Sequence, residues 1–437
     1  MKKNKKIGIL GLGKSGVAAA NLAVKLGYKV FASDSGKKRV IKDLNAKVAR
    51  EFGGHSDKIL DSDIIIKSPG IHGDIDVLKK ARSEKIKILS DLEFSLDNSK
   101  YKKIIAITGT NGKTTTTDLT GKIIKAAFKD SIVTGNIGFP LSDKALQTSK
   151  NTVITMELSS YQLEDTPKFR PDISVLLNIT PDHLEHHKTM LNYIRAKENV
   201  FINQSPKNFA IINYDDKICR RIAPKTKAKK IFFGKAPLKN GIFYSGGDIV
   251  IRIDKEIKIH PKVNIPGMHN VENILAATAA AYCAGVRPKT IEKVISSYKG
   301  VEHRIEFVRT VNGADYYNDS KSTNVDSTRV ALEAFEKNIL LIMGGLDKGA
   351  PYTPLKKLIK DRVKAIYLIG EASPKIKKDL PDANYINCGD MQAAVRRIRS
   401  DAVCGDVVLL SPACASFDQF KNFEDRGRKF KKLVRAL

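Results

Sequence analysis

The sequence has no tryptophan and only five cysteines in 437 residues. Cys219, Cys283, Cys388, Cys404 and Cys414 show no Cys-x-x-Cys spacing. This excludes the common thiolate zinc frameworks and gives no disulfide scaffold, so the cysteines read as reduced, structural thiols of a cytosolic protein. Long apolar runs are missing too: none reaches the ~18 residues that would span a bilayer. The first apolar run is broken at Gly8, Gly11 and Gly13, which does not suit a secretory signal. A cytoplasmic, soluble monomer without membrane insertion is expected. Acid is the scarce charge, with 47 Asp and Glu against 76 Lys and Arg, a net +29. The basic residues are spread through most of the chain. Denser knots occur at Lys2, Lys3, Lys5 and Lys6 and at Arg426, Arg428, Lys429, Lys431 and Lys432. A nucleic-acid protein would focus them on one face among aromatics, so no nucleic-acid partner is expected. The charge equally suits polyanionic small molecules.

What is present starts with length. With 42% apolar residues, a chain of this size divides into two to four domains. Its centre of interest is Ile104-Ile105-Ala106-Ile107-Thr108, a run that reads as a buried strand. Gly109-Thr110-Asn111-Gly112-Lys113-Thr114-Thr115 follows, and then an amphipathic run with Leu119, Ile123, Ala126 and Ala127 on one face. Strand, glycine turn and helix make a phosphate cradle: backbone N–H groups approach the phosphates and the helix N-terminus adds positive potential. Lys113 would reach the terminal phosphates and the Thr114 hydroxyl a magnesium ion. Ile107 stands where the full Walker pattern has its first glycine.

Near the N-terminus, the strand Lys6–Leu10 runs into Gly11-Leu12-Gly13-Lys14-Ser15-Gly16, a helix, and a second strand ending at Asp34. This is the dinucleotide fingerprint with its ribose acid, and alone it would indicate an NAD-dependent oxidoreductase. The same glycines and helix N-terminus hold any pyrophosphate. A further strand ends in Ser68-Pro69-Gly70-Ile71. Lys37, Lys38 and Arg39 read equally as a solvated turn or as ligand contacts.

Further along, the strand Thr152–Glu157 ends in a carboxylate placed for magnesium and continues Leu158-Ser159-Ser160-Tyr161-Gln162-Leu163. The segment 180–187 reads Thr-Pro-Asp-His-Leu-Glu-His-His, a spacing that suits neither zinc-protease nor zinc-finger patterns. His186 and His187 are expected to face solvent. Tyr193 and Lys197 lie one helical turn apart. Residues 204–262 hold short β-like runs with little functional signal. Asn270 is a good N-cap for the Ala-rich helix behind it. The last third repeats strand and polar turn at Asp319, at Gly344-Gly345 and at Ser411, which makes a second Rossmann-like sheet.

These motifs, in this order, resemble the Mur ligase and folylpolyglutamate synthase superfamily of ATP-dependent amide ligases, and its D-glutamate-adding members in particular. The resemblance rests on Gly109–Thr114, Gly135-Asn136-Ile137-Gly138, Glu157–Leu163, Gly267–Asn273 and Ser411–Phe420. It implies an α/β fold of three domains: an N-terminal Rossmann-like UDP-sugar-binding domain at 1–97, a central P-loop-type ATPase with a mostly parallel sheet at 98–299, and a C-terminal Rossmann-like domain at 300–437 that takes the incoming amino acid. ATP would lie against Gly109–Thr115, Asn270, Asn273, Arg304, Asp319 and Lys321. The UDP-sugar, UDP-N-acetylmuramoyl-L-alanine, would meet Gly13, Lys14, Ser15, Asp34, Ser35, Ser68, Gly70, Asn136 and Ser159. D-Glutamate would meet Thr323, Lys348, Ser416 and Phe423. Two magnesium ions would sit among Thr114, Glu157, His183 and a carbamylated Lys197. The catalytic set would be Lys113, Lys197, His183 and Glu157.

Carbamylation needs the neutral amine, and a lysine with an ordinary pKa is neutral in only about 1 part in 2,500 at pH 7, so Lys197 is expected to be buried. Gly36, where D-glutamate-adding relatives carry other residues, leaves the uracil contacts open. Domain closure is expected to bring Asp319, Lys321 and Lys348 over the central site. Three other activities stay open: another ligase of the superfamily with a different amino acid, an NAD-dependent oxidoreductase, and a nucleic-acid-stimulated ATPase.

Overall fold

The computed structural model describes residues 5–136 and 138–437. Lys2 and Lys3 of the basic N-terminal knot, and Ile137, lie outside the described residues. Three α/β layers follow one another along the chain. The first sheet holds β1 (Lys6–Leu10), β2 (Lys29–Asp34), β3 (Ala49–Phe52), β4 (Ile64–Lys67) and β5 (Lys87–Ser90). All pairs are parallel, in the order β3-β2-β1-β4-β5. Strand order therefore reverses between β1 and β4, and a crevice opens at their carboxyl ends. The Gly11–Gly16 loop and the Ser68–Gly70 turn leave the sheet at that point. Gly16 has to be glycine, because a Cβ there would overlap the Gly11 carbonyl oxygen.

The second sheet is built on β6 (Lys103–Thr108), β7 (Ser131–Gly135), β8 (Val153–Glu157) and β9 (Ile173–Leu176). β10 (Phe209–Asn213), β11 (Lys229–Gly234), β12 (Gly241–Ser245), β13 (Asp248–Arg252) and β14 (Glu256–Ile259) extend it. The order is β14-β13-β12-β11-β10-β9-β6-β8-β7. It is parallel from β7 to β12, and two antiparallel pairs close one edge. The apolar run Ile104–Ile107 is wholly interior, as a parallel strand covered on both faces must be. Each of its three isoleucines contributes about 1.5–3 kcal/mol. The segment 204–262, which carried little functional signal, thus supplies five of the nine strands.

The third sheet holds β15 (Glu306–Val311), β16 (Ala314–Asn318), β17 (Ile339–Gly344), β18 (Val363–Ile369), β19 (Tyr385–Gly389) and β20 (Val407–Leu410). Its order is β15-β16-β20-β17-β18-β19, parallel except for the β15–β16 hairpin. The α/β architecture with three mostly parallel sheets agrees with expectation. The described chain forms two compact units. One holds the chain up to Pro261 with Glu272–Ile295; the other holds Lys262–Val271 with Ser296–Leu437. All five cysteines are free. Among the described residues, no helix is long and apolar enough to cross a membrane.

Within the first unit, one buried cation ties the first sheet to the second. Lys67, at the end of β4, is 3% exposed. Its ammonium lies 2.6 Å from Asp165 and donates to the Ile71 carbonyl. Removing one member of such a pair strands the other. Asp165→Ala should therefore cost about 3 kcal/mol of stability, read as a lowered urea midpoint. Adding Lys67→Met to that variant should restore most of the loss, because the uncompensated charge is then gone.

Candidate active site

The phosphate cradle forms where β6 ends. Gly109 and Gly112 both have positive φ, 155° and 83°, which only glycine adopts freely. A Cβ at Gly112 would overlap the carboxamide oxygen of Asn273. That carboxamide also accepts a hydrogen bond from Thr116 at 3.2 Å, so Asn273 braces the first turn of the helix Lys113–Ala127. The Lys113 ammonium folds back over the loop and donates to the carbonyls of Thr110 (2.8 Å) and Gly109 (3.0 Å).

Lys197 lies directly behind that loop. It is 1% exposed; its Nζ donates to the Gly109 carbonyl at 2.7 Å and stands 4.6 Å from the centre of the Tyr193 ring. The Tyr193 hydroxyl is 3.0 Å from Thr110 Oγ1. Burial pushes the Lys197 amine well below the usual lysine range, and the Lys113 charge pushes it the same way. The helix Met190–Glu198 thus delivers, at the base of the P-loop, a lysine whose neutral form is favoured. Burial is what the sequence reading required of it.

Glu157 closes β8 and is 1% exposed. One carboxylate oxygen accepts from Asn136 Nδ2 at 3.0 Å; the other is buried with no hydrogen-bond partner. An anionic oxygen without a partner in a dry setting is costly, and a hard divalent cation answers it. Glu157 therefore fits a magnesium ion; Thr114, at the helix start, is half-buried. His183 adopts a left-handed backbone, φ 52°, and remains 43% exposed, with Asp182 and Glu185 within 3.5 Å of its two nitrogens. The expectation that His186 and His187 face solvent is corrected: they are 9% and 3% exposed. Tyr161 packs its ring on both, at 4.4 and 5.6 Å. Burial lowers the pKa of His187.

A cavity of about 670 Å³ joins Lys113, Lys197 and His183 to the first sheet; Thr114 and Glu157 are not part of its lining. Gly13, Lys14, Ser15, Asp34, Ser68 and Gly70 line it from the first sheet. Lys113, Asn136, Ser159, His183 and Lys197 line it from the second. Ser35 is exposed outside that lining. Lys14 reaches across to the Gly138 carbonyl at 2.7 Å. Tyr161, Gln162 and Tyr193 also line the cavity. Sequence reasoning gave them no role, although Tyr161 and Gln162 sit inside a phrase it singled out.

Asp34 faces inward. Its two oxygens accept from the backbone N–H groups of Leu12 (2.7 Å) and Gly36 (2.9 Å), and from both terminal nitrogens of Arg39 (3.1 and 3.2 Å). Burial alone would raise its pKa, but these donors outweigh it and hold the carboxyl below its usual range. With four donors in place, Asp34 shapes the glycine loop and is already satisfied where a dehydrogenase would engage a ribose. Arg39 is thereby a partner of Asp34 and more than a purely solvated turn residue.

In the second unit, the loops after β16, β20 and β17 lie side by side. Asp319 is 2% exposed and accepts from Ser322, from Ser411 (2.8 Å) and from the Ile305 N–H (3.2 Å). Burial raises its carboxyl to about 6. It anchors the loop in the way Asp34 does. Ser416 is buried with its hydroxyl unpartnered, and so is the Arg304 Nε. Lys321, Thr323 and Phe423 are half-buried, and Lys348 is exposed. The Phe423 carbonyl accepts from Ser320 Oγ at 2.8 Å. Arg426, counted with the C-terminal basic knot, is fully buried and donates to Ser320 and to the carbonyls of Cys414 and Ala415. Lys431 of the same knot is also interior, bridging Glu302 and Glu306 at 2.6 and 2.8 Å. Asn270 lies within the helix Met268–Cys283, not at its N-cap, and donates back to the Pro266 carbonyl.

Known proteins share this arrangement. Residues 5–90 match the family model of the Mur ligase MurD-like N-terminal domain. Residues 107–281 match the Mur ligase middle domain, and 303–414 the Mur ligase glutamate ligase domain. The chain is 44% identical to the UDP-N-acetylmuramoylalanine--D-glutamate ligase of Elusimicrobium minutum, covering 100% of this chain and 98% of that one. It is 43% identical, with the same coverage, to the protein of that name from Koribacter versatilis. Its fold is similar to that of UDP-N-acetylmuramate-alanine ligase MurC from Thermotoga maritima, with TM-score 0.62, 19% identity and 99% of both chains covered. It is also similar to MurF ligase from Thermotoga maritima in complex with ADP, with TM-score 0.62, 18% identity, 100% of this chain and 96% of that one. The chain belongs to the Mur ligase family.

The burial of Lys197 has a measurable consequence. Between its depressed folded pKa and the unfolded value near 10.4, the unfolded chain binds more protons than the folded one. This group's contribution to stability therefore rises with pH through that window and levels off above it. In bicarbonate-free buffer, any stability advantage of Lys197→Met should be largest near pH 7 and shrink towards about pH 10, measured as the difference between the two urea midpoints. Parallel pH profiles would show that the fold holds an ammonium.

Proposed function

We propose that this chain is an ATP-dependent ligase that joins D-glutamate to UDP-N-acetylmuramoyl-L-alanine in peptidoglycan precursor synthesis. The observation that carries it is the cavity in which a diphosphate-binding loop of the first sheet faces Lys113 and the buried Lys197 of the second, in a chain whose full-length relatives bear that ligase name. We assign residues 1–97 to UDP-sugar binding, 98–299 to ATP binding and 300–437 to amino-acid binding.

In this reading Gly13, Lys14, Ser15, Ser68 and Gly70 hold the UDP, with Asn136 and Ser159 toward the sugar-peptide end. Ser35 and Asp34 take less direct parts, since one lies outside the cavity lining and the other is occupied by the loop it shapes. The substrate carboxylate attacks the γ-phosphate of ATP and forms an acyl phosphate with release of ADP. Lys113 exchanges its loop carbonyls for phosphate oxygens and neutralises charge as it moves to the leaving group. Glu157, Thr114, His183 and Lys197 would hold two magnesium ions, whose chemistry is to polarise phosphate oxygens. Lys197, as its neutral amine, adds carbon dioxide and loses a proton to give a carbamate anion. Asn273 keeps the loop braced, Asn270, Arg304 and Lys321 form the nucleotide's remaining contacts, and Asp319, already engaged by Ser322, Ser411 and the Ile305 N–H, holds the loop that carries Lys321.

The amine of D-glutamate then attacks the acyl carbon, and phosphate leaves from the tetrahedral adduct as the amide forms. Lys348, Thr323, Ser416 and the backbone near Phe423 receive the two carboxylates of D-glutamate. The unpartnered Ser416 hydroxyl supports that role, because a buried donor gains most from an anionic acceptor. Two or three such bonds, each worth about 1.5–3 kcal/mol, discriminate against alanine, which leaves them unmade.

Phosphate release from ATP with UDP-N-acetylmuramoyl-L-alanine, magnesium and bicarbonate tests this. D-Glutamate, L-glutamate, L-alanine, L-lysine and meso-diaminopimelate would be added singly. Release with D-glutamate alone is expected. Release with a different amino acid would retain the ligase and discard the specificity; silence with all five would discard both. Lys113→Met should lower kcat by roughly 10²–10³-fold, as loss of one preorganised charge-stabilising group does.

A further inference from the structure

We infer that Glu164, His186 and His187 form a transition-metal site distinct from the residues assigned to magnesium. One ligand atom from each lies within 4.8 Å of the other two, and His186 Nε2 is 2.8 Å from Glu164 Oε2. The two imidazoles are buried, while Glu164 is 44% exposed at the rim, which leaves an ion a route in. His187 Nε2 is held by Ser160 Oγ at 2.9 Å, and its Nδ1 is buried with no partner. A ring with one nitrogen fixed by a neighbour and the other unused is the arrangement of metal-ligating histidines. Burial favours the neutral imidazole of His187, the form that binds metal.

The surroundings fix the geometry. The helix Ser160–Glu164 begins in a capping box between Ser159 and Gln162, and this sets where Glu164 points. The His72 ring packs tilted against His186 at 4.1 Å, and Tyr161 meets it edge-on at 4.4 Å. Two imidazoles and a carboxylate suit Zn²⁺, Co²⁺ or Ni²⁺, with a water in the fourth position. Magnesium takes oxygen ligands and keeps its waters, so the two classes of ion sort between the two sites. An ion here would also stiffen the turn that carries His183.

The test is a titration of the full chain, freed of metal by chelation, with Co²⁺ in excess magnesium, followed by visible absorption. We expect one Co²⁺ per chain in a low-symmetry, intensely absorbing site, displaced by Zn²⁺. Binding should weaken by more than the roughly 10–100-fold that follows loss of a supporting contact in both Glu164→Gln and His186→Asn, and persist in His183→Ala. Glu164 lies at the rim, so Glu164→Gln keeps the test valid should His186→Asn fail to fold. No Co²⁺ binding in the wild-type chain, equal affinity in Glu164→Gln, or loss of the signal in His183→Ala would each overturn the assignment.

Discussion

The site depends on burying an amine against a carbonyl. Lys197 Nζ meets the Gly109 carbonyl behind the P-loop, and at 1% exposure an ammonium there would cost several kcal/mol. The surroundings relieve that cost only in part: Asp182 favours the charge, but burial and the like charge of Lys113 outweigh it, and Tyr193 presents its ring. Burial therefore shifts Lys197 toward the neutral amine, which is also the nucleophilic form. Gly109, at positive φ, presents its carbonyl to the lysine, while the next two N–H groups, of Thr110 and Asn111, donate to Asn178 and anchor the loop from the other side. Glycine at the loop and lysine on the helix Met190–Glu198 are two halves of one requirement.

Three carboxylates stand at strand ends, and their hydrogen bonds separate their roles. Asp34 accepts four donors, and Asp319 accepts Ser322, Ser411 and a backbone N–H. Each fixes a loop and is satisfied by the chain itself. Glu157 keeps one buried oxygen without a partner. Desolvation acts on all three, but only Glu157 is left needing something the protein does not supply. Position at the end of a strand does not distinguish an anchor from a ligand; the count of donors does.

That count explains how far the sequence could be read. The glycine turns, the parallel strands β1, β4, β6 and β8, and the positions of Lys113, Glu157 and Lys197 follow from local pattern, because each is set by residues adjacent in the chain. Arg39 on Asp34 was not legible, since a guanidinium after a glycine reads as a solvated turn until its fork is seen. His186 and His187 were expected in solvent because their cover, Tyr161 and His72, comes from remote segments. The strands β10 to β14 were visible as short β-like runs, but not as an extension of the central sheet, because pairing between strands and not local pattern decides which sheet a run joins.

Charge shows the same limit. Net charge counts Arg426 and Lys431 with their neighbours, yet both are interior and Arg428, Lys429 and Lys432 are not. Arg426 has only hydroxyl and carbonyl oxygens as hydrogen-bond partners, and burial lowers its pKa to about 10. A guanidinium is still charged there at neutral pH, whereas a lysine in that setting would be driven toward neutrality. Its planar fork spans the loops after β16 and β20 at once. The Ser416 hydroxyl and the Phe423 carbonyl are held on those same loops and on the helix that carries Arg426. The positive potential of the proposed carboxylate site then has an interior source as well as the exposed Lys348. A basic run at the end of a chain can therefore be part surface and part scaffold, and only the partners of each side chain tell which.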